Sequence, residues 1–172
     1  MKCTSCRRVL IAVLSLAIAL QIPVSSPAQD TPPLHSIDNQ QALTGVTTAN
    51  VVFDISTPDP QVLSQFLSVI DTTWNQLHAS GLTPHMVLTF RGRAASLVTH
   101  GSEWHTAETE ERLAQQLVDL QRKGLRLDIC AIAAKLQEID PQDLMAGTQL
   151  VANTFISLIG YQSKGYALIR IN

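Results

Sequence analysis

Between Val51 and Ile171 the hydrophobic period switches repeatedly, and this alternation constrains the fold more than any other feature of the sequence. Val51-Val52-Phe53-Asp54-Ile55 is a short run of β-formers that stops at Thr57-Pro58-Asp59-Pro60. Asp59 suits an N-cap and Pro60 a first helical residue. Leu63, Phe66, Leu67, Ile70, Trp74 and Leu77 then recur at helical spacing, which predicts one buried stripe on a helix ending near Ser80, with Gly81 as its stop. His85 to Phe90 reads as a second strand and Arg93 to Val98 as a short helix. Thr106 caps the next helix: Glu108, Glu110 and Glu111 suit its positive end, Arg122 and Lys123 its negative end, and Gly124 stops it. Leu125 to Cys130 is the third strand, followed by helix formers from Ala131 to Leu136. Gln149-Leu150-Val151 is the fourth strand, Asn153 or Thr154 caps a short apolar helix to Gly160, and Tyr166 to Ile171 is the fifth strand.

Strands alternating with helices imply a parallel sheet covered on both faces, because parallel neighbours need a helical crossover. Right-handed crossovers leave few topologies. The expected fold is a flavodoxin-like three-layer α/β sandwich with a five-stranded, mostly parallel sheet.

The first residues read differently. Lys2, Arg7 and Arg8 precede an apolar run of 12 residues from Val9 to Leu20, and Ser26-Pro27-Ala28 supplies a small-residue cleavage site. A membrane span needs about 20 apolar residues, so residues 1–28 read as a cleaved export signal and the location as the periplasm. Residues 29–49, with Thr31-Pro32-Pro33 and many Thr, Gln and Asn, read as a flexible leader, and residues 50–172 as the folded domain. Cleavage would take the formal charge from −2 to 9 − 14 = −5. That balance argues against nucleic acid and against an anionic membrane surface as partners.

Cleavage also removes Cys3 and Cys6 and leaves Cys130 as the only cysteine. An unpaired thiol in an oxidising compartment points to intermolecular pairing or to a reactive sulfur. Functional groups of open α/β sheets collect at the carboxyl ends of strands. Cys130 ends the third strand just before a helix, and the positive end of a helix lowers a thiol's pKa. Asp128, on the same strand face, works in the opposite direction. A small buried hydrophobe is the competing reading of a free cysteine.

The run Gly124-Leu125-Arg126-Leu127-Asp128-Ile129-Cys130-Ala131-Ile132-Ala133 resembles the cysteine-bearing strand–helix junction of DsrE/DsrF-like proteins. Val51 to Ile55, Phe90-Arg91-Gly92, Asn153 to Gln162 and Gly165-Tyr166-Ala167 resemble the same family, so the likeness spans roughly Asn50 to Ile171. The resemblance implies a flavodoxin-like fold, homo- or hetero-oligomers such as trimers or hexamers, and sulfur relay, in which a cysteine takes a sulfane sulfur as a persulfide and hands it to a partner thiol. Cys130 would be that carrier. A sulfur donor or acceptor, either a protein or a small sulfur compound, would be the partner. The alternative is a non-catalytic oligomeric scaffold with a structural cysteine.

Further candidates flank this one. Arg91, Gly92 and Arg93 follow the second strand at its carboxyl end, where guanidiniums and free amides could bind a small anion. His100 and His105 bracket Glu103, and His105 or His100 could serve as a base if the loop approached Cys130. A metal centre lacks the helical pair spacing and further ligands, so no metal is expected. No G-x-G-x-x-G, P-loop, G-x-S-x-G or H-E-x-x-H motif occurs, and no cofactor is expected. Val151 to Ile171 carries only Lys164 and Arg170 as charges, which predicts either deep core or an assembly surface, and favours a homo-oligomer.

Overall fold

The computed structural model describes residues 38–172. The expected export signal, the Cys3/Cys6 pair and most of the leader lie outside the described residues. The described end of the leader carries a one-turn helix, α1 (Gln40–Leu43), and β1 (Thr48–Ile55) begins two residues before the expected domain border. There follow α2 (Pro60–Ala79), β2 (Thr83–Phe90), a 3-10 helix (Gly92–Val98), α3 (Ala107–Arg122), β3 (Arg126–Cys130), α4 (Ala131–Leu136), a 3-10 turn (Pro141–Asp143), β4 (Thr148–Val151), α5 (Thr154–Ser163) and β5 (Ala167–Ile171).

The caps explain the helix ends. Asp59 accepts from the N–H groups of Gln61 and Val62 at 2.8 and 3.2 Å, Thr106 from Thr109 at 3.3 Å, and Asn153 from Phe155 at 2.9 Å. Each satisfies donors that the helix cannot satisfy itself. Gly81 and Gly124 stop α2 and α3 at φ +81° and +88°, a conformation that costs side-chain-bearing residues.

The sheet order is β4-β3-β2-β1-β5, and all four pairings are parallel. Steps from β1 to β4 run in one direction, so right-handed crossovers put α2, α3 and α4 on one face. The step from β4 to β5 returns across the sheet and puts α5 on the other. The side chains follow this division. Val51, Phe53, Ile55, Met86, Leu88, Phe90, Leu127 and Ile129 form the main core with Leu63, Leu67 and Ile70 of α2 and Leu113, Leu117 and Leu120 of α3. Alternate residues Val52 and Val87 make a smaller core with Leu158, Tyr161 and Tyr166. This is a flavodoxin-like three-layer arrangement.

The stripe expected on α2 needs one correction. Leu63, Leu67 and Ile70 are buried, but Phe66, at the flank of the stripe, is 39% exposed. Residues Val151 to Ile171, for which core and surface were both open, prove to be largely surface: Phe155, Ile156 and Ile159 of α5 are 57–66% exposed, and Leu168 and Ile169 of β5 are exposed too.

Candidate functional site

The return crossover determines where a site can form. Adjacent strands β3 and β4 send their chains to opposite faces, β3 into α4 and β4 into α5. A crevice therefore opens beyond their carboxyl ends, with the N-termini of both helices turned toward it, and such switch points are where open α/β sheets bind ligands. Cys130 occupies this point, as the last residue of β3 and the N-cap of α4, paired in register with Val151.

Cys130 is only 6% exposed, yet it lines a cavity of about 400 Å³ together with Arg91, Arg93, Ile132, Leu136, Thr154 and Phe155. That volume suits a small ligand. A larger surface groove of about 660 Å³ between α2 and α3 offers no nucleophile, and its charges Lys123 and Asp71, and Arg122 and Asp119, already pair with one another.

Burial works against ionisation of the thiol. The backbone N–H of Thr154, those of Ala133 and Ile132, and the Thr154 hydroxyl work for it and prevail, so the Cys130 pKa is lowered. Two helix starts thus serve one sulfur. The Thr154 hydroxyl, in a residue 1% exposed, faces the sulfur outside ordinary hydrogen-bond geometry and has no other partner among the described residues.

Arg91 comes from the turn after β2. Its Nε and Nη2 donate to the buried Asp54 carboxylate at 2.6 and 2.9 Å, and its guanidinium lies 5.5 Å from the centre of the Phe155 ring. The Asp54 hydrogen bonds raise the pKa of Arg91, with a further contribution from the Cys130 charge. Arg91 is therefore a fixed positive charge within electrostatic range of the sulfur, already neutralised by Asp54. Gly92 adopts φ +54°, which lets the chain turn back beside the cavity. Gln137 secures that turn: its Nε2 donates to the Gly92 carbonyl at 2.6 Å and to Ala133 O at 3.0 Å, and its Oε1 accepts from Ser96 Oγ.

The remaining expected residues lie apart. Asp128 is fully buried one pleat behind Cys130 on the α5 side, where Arg126 Nε donates to it at 2.7 Å and Tyr161 reaches it from α5. Burial raises its pKa against the opposing pull of Arg126. It does not line the cavity. The His105 imidazole is buried 3.8 Å from Glu110, away from Cys130, and neither of its ring nitrogens finds a hydrogen bond among the described residues. His100 holds the other Glu110 oxygen at 2.8 Å, and that bond lowers the Glu110 pKa. Lys135 borders a different depression. Among the described residues, no group of three or more His, Cys, Asp or Glu could hold a metal ion, and no helix is long and apolar enough to cross a membrane.

Sequence reasoning missed Thr154, Asp54, Gln137 and Phe155 as parts of the site. Only Thr154 left a signal, as a hydroxyl at the start of a helix directly after a strand.

Comparison with known proteins follows the same outline. The sequence model of the DsrE/DsrF-like family matches residues 36–171. Two solved structures resemble the fold. One is a protein of unknown function, MTH1491, from Methanobacterium thermoautotrophicum (TM-score 0.57, 19% identity, 72% of this chain and 98% of that one). The other is the ychN protein from E. coli (TM-score 0.53, 14% identity, 71% of this chain and 99% of that one). No curated protein sequence matches the chain.

Proposed function

The chain belongs to the DsrE/DsrF-like family, which is generally tied to sulfur relay, and from that premise we propose that it is a sulfur carrier or sulfurtransferase-like protein working through Cys130. The observation that carries this reading is a thiol with lowered pKa, set between two helix N-termini on the floor of a small cavity. In the first step the Cys130 thiolate attacks the terminal sulfur of a donor R–S–SH. A new S–S bond forms, the donor's S–S bond breaks, and its electron pair leaves on RS⁻, with no net oxidation. In the second step a partner thiolate attacks the outer sulfur and Cys130 leaves as thiolate. Groups that lower the thiol pKa raise the thiolate fraction available for the first step, and in the second they make Cys130 the better leaving group.

The proposal extends to setting and assembly. The protein acts in the periplasm after removal of residues 1–28, and the exposed Ile156 and Ile159 of α5 with Leu168 and Ile169 of β5 suit burial against further copies in a homo-oligomer, a trimer or hexamer as the family resemblance implies. A scaffold with a structural cysteine is the second reading, favoured by the 6% exposure of Cys130.

Mass spectrometry separates the two. After exposure to polysulfide, or to thiosulfate with a sulfurtransferase, residues 29–172 should gain the mass of one sulfur, and the Cys130→Ser form should gain none. Gain by the serine form, or native wild type that resists iodoacetamide at neutral pH, would remove the carrier reading.

A further inference from the structure

Within the reading of Cys130 as a sulfur acceptor, the donor's chemistry is written in the opposite wall of the cavity. The lining holds Arg91 and Arg93 and no carboxylate, although the sequence as a whole is acidic. The two arginines are not equivalent. Arg91 has its charge answered by Asp54 and its N–H edge occupied. Arg93 has neither: no carboxylate pairs with it, and it donates no hydrogen bond to any described residue. Instead its guanidinium carbon sits over the indole of Trp104, 3.8 Å from the ring centre. The contact leaves N–H donors that no described residue takes. It also fixes a side chain that would otherwise lose much rotamer freedom on binding a ligand. The result is an oriented, unanswered fork at the mouth of a cavity whose floor is a nucleophilic sulfur.

The other walls describe the rest of the ligand. Ile132, Leu136 and Phe155 are apolar and exposed at the rim, and about 400 Å³ exceeds what a bare inorganic anion fills. The Thr154 hydroxyl at the floor faces the Cys130 sulfur and has no conventional partner among the described residues, so it meets a sulfur arriving there as it meets the thiolate.

We propose that the cavity accepts a small organic persulfide bearing a carboxylate or sulfonate, whose anionic end docks on Arg93 held by Trp104 while its body lies against Ile132, Leu136 and Phe155. Transfer then follows the balance already given: Cys130–S⁻ and R–S–SH become Cys130–S–SH and RS⁻, and the anionic end keeps the leaving thiolate oriented for departure. Arg93 sets which donor is used and does not touch the reacting sulfur atoms.

Two reagents of similar size and opposite demand test this on residues 29–172. The alkylation rates of Cys130 by iodoacetate and by iodoacetamide are compared in wild type, Arg93→Gln and Trp104→Leu. The ratio of the two rates should fall about fivefold in Arg93→Gln, as expected for loss of one charge near solvent. The ratio cancels any change in thiolate reactivity common to both reagents, and added salt should lower the wild-type ratio toward that of the variant. Trp104→Leu should give an intermediate ratio. In parallel, the persulfide of 3-mercaptopropionate should load wild type faster than that of 2-mercaptoethanol, and faster than thiosulfate does, with the charge preference lost in Arg93→Gln. Equal ratios in wild type and Arg93→Gln, with Cys130 still labelled, would overturn the anionic donor and leave the carrier reading standing. Faster loading by thiosulfate would overturn the organic body. Failure of both alkylating reagents to label wild type would overturn the carrier reading itself, and this inference with it.

Discussion

The two faces of one sheet are built from alternate residues of the same strands, and they have opposite characters. Toward α2 and α3, Val51, Phe53 and Ile55 line up with Met86, Leu88 and Phe90 and with Leu127 and Ile129, and every one of them is buried hydrocarbon. Toward α5, one register row reads Arg170, Asp54, Thr89, Asp128, Gln149 across all five strands, and Cys130, two residues further along β3, also touches the main core. The first face supplies the hydrophobic burial that holds the domain together. The second holds two buried carboxylates, each answered by arginine, and the Cys130 sulfur. A period of two in the strands thus puts most of the hydrocarbon core and the ion pairs of Asp54 and Asp128 on different faces.

That separation can be attacked in order of expected effect. Leu88→Ala on the hydrocarbon face removes a fully buried side chain and should cost about 3–5 kcal/mol in urea unfolding, while any protein still folded alkylates at Cys130 at the wild-type rate. A changed alkylation rate in the folded variant would show that the faces are coupled. Arg91→Met on the other face leaves Asp54 buried without its bidentate partner and should cost roughly 3 kcal/mol. It should also raise the thiol pKa, because the sulfur loses the nearby positive charge of Arg91 while Asp54 keeps only the looser Arg170 at 3.7 Å. A drop in the thiol pKa of that variant would contradict the electrostatic assignment.

Thr154→Val should move stability by no more than about 1 kcal/mol, since the hydroxyl it removes has no conventional partner. Its effect falls on the sulfur. The pH midpoint of Cys130 alkylation should rise toward the ordinary cysteine value of about 8.5. Stability should report the same change with a defined sign. The native thiol pKa lies below its unfolded value, so the thiolate's stabilising contribution is fully present above the unfolded value and disappears as pH falls through the native one. Unfolding midpoints of wild type measured against Cys130→Ser should therefore diverge as pH rises through that window, and diverge less on the Thr154→Val background. A difference that stays flat across the window would mean that the sulfur is not held as an anion.

How much of this was legible in the sequence follows from the range of the interactions involved. The alternation of strands and helices, the caps Asp59, Thr106 and Asn153, and the place of Cys130 at a strand end are local patterns, and they carried through. Phe66 shows the limit of periodicity: spacing puts a residue near a stripe, but only a packed neighbour buries it. The partners of the sulfur were beyond reach because they arrive from turns distant in the chain. Arg91 was visible as a basic residue at a strand end, but not the pairing with Asp54 across 37 positions that neutralises it. Arg93 was set beside Arg91 as one anion-binding pair, whereas Trp104 and Asp54 divide them into a free charge and a bound one. The sequence offers both loop histidines as bases; Glu110 on α3 holds His100 at 2.8 Å, and the His105 ring is buried 3.8 Å from the same carboxylate, outside the cavity.

The return crossover has a temporal consequence. Thr154 is made after Cys130, and β5, the strand to which α5 leads, pairs with β1 from the other end of the domain. Before those last segments are in place the cysteine has the N–H groups of α4 beside it but neither donor of Thr154. The full set of groups that favour the thiolate is thus assembled only when α5 and β5 have joined the sheet.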